Sequence, residues 1–125
     1  MDFTLDACGI AVECRVLEMG NDLVVTLQGG DAGHVGSTAM ALPRESLTGT
    51  GRSATTSTLN RMGHKDDFLA NPLAHALAAR WDCAVVCVAG VHVDGATPAQ
   101  IAAIQGVVDE AAQRICAWYE EAHHA

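Results

Sequence analysis

Three short segments hold nearly all the residues that could do chemistry, each rich in glycine and each with one histidine. The first is Gly29-Gly30-Asp31-Ala32-Gly33-His34-Val35-Gly36. Glycine lets a backbone approach a ligand closely and can present amides to an anion, and a neighbouring imidazole changes charge near neutral pH. No Gly-Lys-Ser/Thr follows and a strand comes next, so this is neither a Walker loop nor a dinucleotide fingerprint. A plain glycine-rich turn with an exposed histidine is the simpler alternative. The second is Gly63-His64-Lys65-Asp66-Asp67 at a helix start. Amides there favour an anion and His64 with Lys65 adds positive charge, although Asp66 and Asp67 already complement the helix dipole and would repel a phosphate. The third is Gly90-Val91-His92-Val93-Asp94-Gly95. If the strand persists, His92 and Asp94 share one side, as an oriented base, as two metal ligands or as an ordinary structural hydrogen bond. The wide separation of the three histidines matches no metal-ligand spacing. No Gly-x-Ser-x-Gly elbow supplies a nucleophile.

The elements that must position these loops follow from periodicity. Residues 9–18 alternate, with Ile10, Val12, Cys14 and Val16 on one side. Gly20-Asn21-Asp22 is turn chemistry, and Leu23–Leu27 is a β-branched run that pairs back as an antiparallel hairpin. Residues 35–42 form an apolar segment stopped by Pro43, and 44–51 read as a mobile loop. Residues 52–59 are small and Thr-rich, which suits an edge or site-lining strand. A helix follows around Phe68, Leu69, Leu73 and Leu77, in which Pro72 either makes a kink or opens a fresh helix capped by Asn71. Residues 84–91 are a buried strand by their continuous apolar character. Thr97-Pro98-Ala99-Gln100 is a capping box with Pro in the first turn, leading a stripe of Ile101, Ile104, Val108, Ala111, Ile115 and Trp118. Gly106 inside it suggests a close packing contact. The fold class is α+β, a mostly antiparallel sheet covered by two main helices in the order β-β-β-β-α-β-α, as one domain over 1–125. Residues 1–8 and 120–125, including His123 and His124, read as frayed termini.

The chain has 125 residues, half of them apolar, and 7 basic against 15 acidic residues, a net charge of −8. That balance repels phosphate backbones and anionic lipid. Five aromatic residues (Phe3, Phe68, Trp81, Trp118, Tyr119) offer no stacking platform for bases. No apolar run reaches membrane-span length, and Asp2 and Asp6 stand where a secretory signal needs basic residues. Five cysteines, none in a CxxC, read as reduced core residues of a cytoplasmic protein.

In series, Leu23-Val24-Val25-Thr26-Leu27-Gln28-Gly29-Gly30-Asp31 with His34-Val35-Gly36, then Gly63-His64-Lys65-Asp66-Asp67, then Val88-Ala89-Gly90-Val91-His92-Val93-Asp94 and Thr97 resemble the LpdD-like prenylated-flavin chaperone family. The resemblance covers residues 10–118. Members are small proteins encoded beside UbiD-type decarboxylases of aromatic-acid degradation. The resemblance implies a carrier that binds prenylated FMN, shields it and supports maturation of a UbiD-like decarboxylase apoenzyme, with a UbiX-type flavin prenyltransferase as a second partner. The residues themselves suggest roles toward such a cargo. His64, Lys65 and the amides of Gly29 and Gly30 would hold phosphate, and His34 and His92 would meet the ring. Arg44 or Arg52 would close over from the 44–51 loop, with Asp31, Gly36, Gly63 and Asp94 completing the set. Ala54, Thr56 and Thr58 would line the shielding pocket. No catalytic residue, metal, nucleic acid or membrane enters this reading. Two rivals stand beside it. One is a small lyase or decarboxylase using His92 and Asp94. The other is a cofactor-free assembly protein. A homodimer is expected through the stripe ending at Trp118-Tyr119 or through the Thr-rich edge.

Overall fold

The computed structural model of the chain describes residues 1–61 and 66–123. The chain opens on β1 (Asp2–Ala7), which pairs antiparallel with β2 (Ile10–Met19) so that Phe3 faces Cys14 and Leu5 faces Val12. This strand replaces the frayed end expected over 1–8. Its turn is two residues long, with φ of +55° at Cys8 and +86° at Gly9. Two successive positive φ angles twist a hairpin in the sense its strands need, and Cys-Gly is an unusual pair to supply them. In β2 the alternation is as the sequence has it: Ile10, Val12, Cys14 and Val16 are buried and the residues between them are exposed.

Next, β3 (Asp22–Gly30) pairs back on β2, and β4 (Ala32–Glu45) pairs with β5 (Arg52–Asn60). Pro43 does not stop β4, which continues through it to Glu45. Helix α1 (Asp67–Trp81) runs unbroken through Pro72, with no fresh start at Asn71. Pro72 is exposed, so the carbonyl its missing N–H leaves unpaired lies on the solvent side and can be hydrated. Strand β6 (Val85–His92) then inserts between β3 and β4, parallel to β3 and antiparallel to β4, giving the sheet order β1-β2-β3-β6-β4-β5. The last element, α2 (Pro98–Ala122), starts on the capping box: Gln100 N–H donates to Thr97 Oγ1 at 3.1 Å and Thr97 N–H to Gln100 Oε1 at 3.0 Å. One strand is thus added ahead of the expected order, and the α+β class stands.

Both helices lie on one face of the sheet, α1 over β4, β5 and β6 and α2 over β1 and β2. The core lies between them, from Leu69, Leu73 and Leu77 of α1 and Val107, Ala111 and Ile115 of α2 to Val12, Val25, Leu27, Val85 and Cys87 of the sheet. Burying each Leu, Ile or Val among them is worth about 1.5–3 kcal/mol, so this face sets the register of every strand. Arg52 closes the far end of α1: its guanidinium donates to Ala79 O at 2.7 Å and lies 3.2 Å from Asp82. Nor are residues 120–123 frayed as expected, while His124 and Ala125 lie outside the described residues. Tyr119 stacks on Trp81 with ring centroids 4.4 Å apart, and His123 stacks on Tyr119 and bonds Glu18 at 2.5 Å. Among the described residues no atom outside the adjoining helix stands within 4 Å of a Cβ added at Gly106, so the close contact expected there does not occur. Among the described residues no helix is long and apolar enough to cross a membrane.

Candidate functional site

The end of the sheet where β6 emerges is shaped by one irregularity. Moving along β4, Gly33 pairs with Val91 but Ser37 pairs with Ala89, so residues 34–36 stand opposite Gly90 alone. Such a bulge bends its strand and re-aims side chains. It needs Gly90, because a Cβ there would run into the His34 carbonyl. It needs Gly36 too, whose Cβ would meet the Asp66 carboxylate. The bulge turns His34 inward: its Nε2 lies 3.3 Å from Asp66 Oδ2, and both side chains are largely buried.

Asp66 organises this corner. It precedes α1 but does not cap it with its side chain. Instead Oδ1 accepts from Val91 N–H at 3.1 Å while Oδ2 faces His34. The chain crosses from β3 to β4 over the end of β6, where Asp31 N–H donates to His92 O at 2.6 Å. Gly30 takes a φ of +78° there, and a Cβ on it would strike the same carbonyl. Asp31 Oδ2 in turn accepts from Asp94 N–H at 2.7 Å, and His92 Nε2 bonds Asp94 Oδ1 at 2.7 Å. His34 and His92 meet edge to face with centroids 6.4 Å apart.

The first and third loops of the sequence therefore converge, and the second reaches them through Asp66. Gly63, His64 and Lys65 lie outside the described residues. Gly29 is a ladder residue of an interior strand, in register with Val12 and Val91, and its lack of a side chain admits the Ala11 carbonyl of β2. Arg44 and Arg52 are elsewhere. Arg44 is ten residues past His34 along β4, about 30 Å at strand rise, and donates to Thr55 Oγ1. Arg52 caps α1, as described above. Ala54 is buried, Thr56 bonds His75 and Thr58 bonds Asn71, so these three meet α1 and take no part in the lining of the two cavities that follow.

Beside His34, on the face without helices, lies a cavity of about 390 Å³ lined by Arg15, Thr26, Gln28, Gly33, His34, Val35 and Val88. Its floor is two rows of the sheet, Arg15–Thr26–Val88 and Gln28–Gly90, and its wall is the bulge. A guanidinium, an amide and a hydroxyl thus stand beside apolar Val35 and Val88, the mixture that orients a flat, partly charged ligand. Arg15 and Gln28 escape sequence reasoning because they sit at ordinary outward positions of alternating strands. Across the His34–Asp66 pair a second cavity of about 180 Å³ lies between the starts of the helices, lined by Asp66, Phe68, Val91, His92, Val93, Ala96, Ile101 and Ile104. Among the described residues no three His, Cys, Asp or Glu side chains gather as a metal site.

The same fold occurs in a solved structure. A chain from the crystal structure of a chaperone complex for yeast 20S proteasome assembly superposes with a TM-score of 0.58, over 94% of each chain and at 9% identity, a likeness of fold alone. In sequence, protein LpdD of Lactiplantibacillus plantarum is 27% identical over 120 residues, covering 94% of this chain and 84% of that protein. The model of the prenylated flavin chaperone LpdD-like domain matches residues 6–120. With nearly its whole length inside that match, the chain belongs to the LpdD-like chaperone family.

Proposed function

We propose that this chain is a carrier for prenylated FMN, held in the Arg15–Gln28–His34 cavity, and that it supports maturation of a UbiD-like aromatic-acid decarboxylase. The observation that carries the reading is the cavity itself. At about 390 Å³ it falls in the size range of small-molecule sites. Its one guanidinium suits a phosphate, which arginine can grip through two parallel N–H bonds. Gln28 and Thr26 offer donors and acceptors to ring carbonyls, and Val35 and Val88 offer an apolar wall. The glycines of the bulge keep the backbone close enough for His34 to border the same space. The cofactor brings its own electronic chemistry to the decarboxylase; the residues here bind it, orient it and keep water away.

An accessory role accounts for the site better than catalysis. His92 and Asp94 form a pair at 2.7 Å, the feature that favours a lyase, yet both are solvent-exposed, where a base gains little from its surroundings. A UbiX-type prenyltransferase is the natural source of the cargo, and the carrier, its source and its client would share the cytoplasm. The reading is tested at Arg15. Arg15→Ala should weaken binding of prenylated FMN at least about tenfold, the size of one lost charge-assisted contact, and Arg52→Ala should leave it within about twofold. Unchanged affinity in Arg15→Ala would remove the phosphate contact from this cavity. Turnover of a hydroxybenzoate by the purified chain alone would favour the lyase.

A further inference from the structure

With both helices on one side, no element among the described residues covers the opposite face of the sheet. Outward-pointing side chains there run in rows across five strands: Arg15, Thr26, Val88, Thr38 and Leu59 in one, Leu17, Val24, Val86, Met40 and Ser57 in the next, then Leu42 and Thr55. Leu17 is 61% exposed and Leu59 78%, with Met40 and Leu42 near half. The row Leu17–Val24–Val86–Met40 is apolar across four strands, with Val88, Leu42 and Leu59 beside it, and a patch of this kind marks an interaction surface. We infer that a second copy of this chain packs on this face, sheet against sheet, and that it closes the mouth of the Arg15–His34 cavity.

Size and charge together favour a second copy as the occupant. Five strands at about 4.8 Å and three rows at about 6.6 Å give a footprint on the order of 500 Å² per copy, or about 1,000 Å² across both. That meets the minimum expected of a biological interface. Two chains of net charge −8 repel one another over most of their surface. On this face Glu13, Arg15, Asp22 and Arg44 carry the charge among β2–β6, two acids against two bases, and they cancel. Sheets with one apolar face stack about 10 Å apart with side chains interleaved, and a two-fold axis makes one such face its own partner. The stripe of α2 cannot serve, because Ile104, Val107, Val108, Ala111 and Ile115 are buried against the chain's own sheet.

The cavity opens on this same face, its floor continuous with the apolar rows, so a copy seated there would roof it. That second half rests on the cofactor reading; the dimer does not. Light scattering on the eluting full-length chain, without cofactor and at micromolar concentration, should give about 26 kDa, twice the 13.0 kDa of one chain. Met40→Glu, at the centre of the patch and outside the cavity, should elute as a folded monomer by far-UV circular dichroism. Leu47→Glu, in the exposed β4–β5 loop, should remain a dimer. A monomeric wild type overturns the proposal, as does a folded Met40→Glu that stays dimeric. A monomer that binds the decarboxylase through Met40 also overturns it and gives the face to that enzyme. If the Met40→Glu monomer binds prenylated FMN as tightly as the wild-type dimer, the closure fails and the dimer stands. If the dimer binds none, the cofactor reading fails with the closure.

Discussion

Asp66 joins three segments with two oxygens: Val91 N–H of β6 on one, His34 of the bulge on the other, and the start of α1 through its own backbone. Removing a buried acceptor leaves its donor unsatisfied, which costs about 1–3 kcal/mol. Asp66→Ala should therefore lower the unfolding free energy read from a urea titration by that amount, and Asp66→Asn by less, since an amide oxygen can still accept from Val91. From sequence, Asp66 was legible only as an acid completing a helix dipole, because its partners lie far along the chain. The thiols make a second residue-scale prediction. Burial pushes Cys14 from 9.0 up to about 12 and raises Cys87 as well. In the unfolded chain both ionise near pH 9, so above that pH the folded state holds protons that the unfolded state has lost. Their contribution is complete below pH 9 and declines as pH rises toward 12. Between pH 8 and pH 10 stability should fall by about 1 kcal/mol per buried thiol, and Cys14→Ala/Cys87→Ala should flatten the fall. An identical pH slope in the double variant would contradict the assignment.

At the scale of elements, two glycines with opposite surroundings separate architecture from propensity. Gly106 sits in α2 with nothing near its missing side chain, so Gly106→Ala should stabilise the protein by about 1 kcal/mol. Gly90 faces the His34 carbonyl, so Gly90→Ala should destabilise it, displace residues 34–36 and weaken ligand binding together. Thermal melts and a binding titration on the two variants read both effects, and stabilisation by Gly90→Ala would mean that the bulge tolerates a side chain. The elements with strong local signals were legible: the alternation of β2, the β2–β3 hairpin and the Thr97–Gln100 box. Strand β1 was not, because acidic Asp2 and Asp6 on its open face masked the inward Phe3, Leu5 and Ala7. Nor was the bulge, which arises from the pairing of residues 33–37 with 89–91 and from no local motif.

For the whole molecule, the insertion of β6 between β3 and β4 decides the rest. It brings the third loop against the first and sets Arg15 in line with Val88 under the bulge, while Arg44 and Arg52 go to the opposite end. Sequence alone ranked cations by their nearness to glycine loops. Strand order ranks them by row across the sheet, and no local pattern carries that order. The most direct measurement is an anaerobic titration of the purified chain with prenylated FMN and, in parallel, with FMN, followed by absorbance and by retention on a desalting column. The account predicts that prenylated FMN stays with the protein at one equivalent per chain and that plain FMN is held less tightly. Passage of both through the column without retention would contradict it.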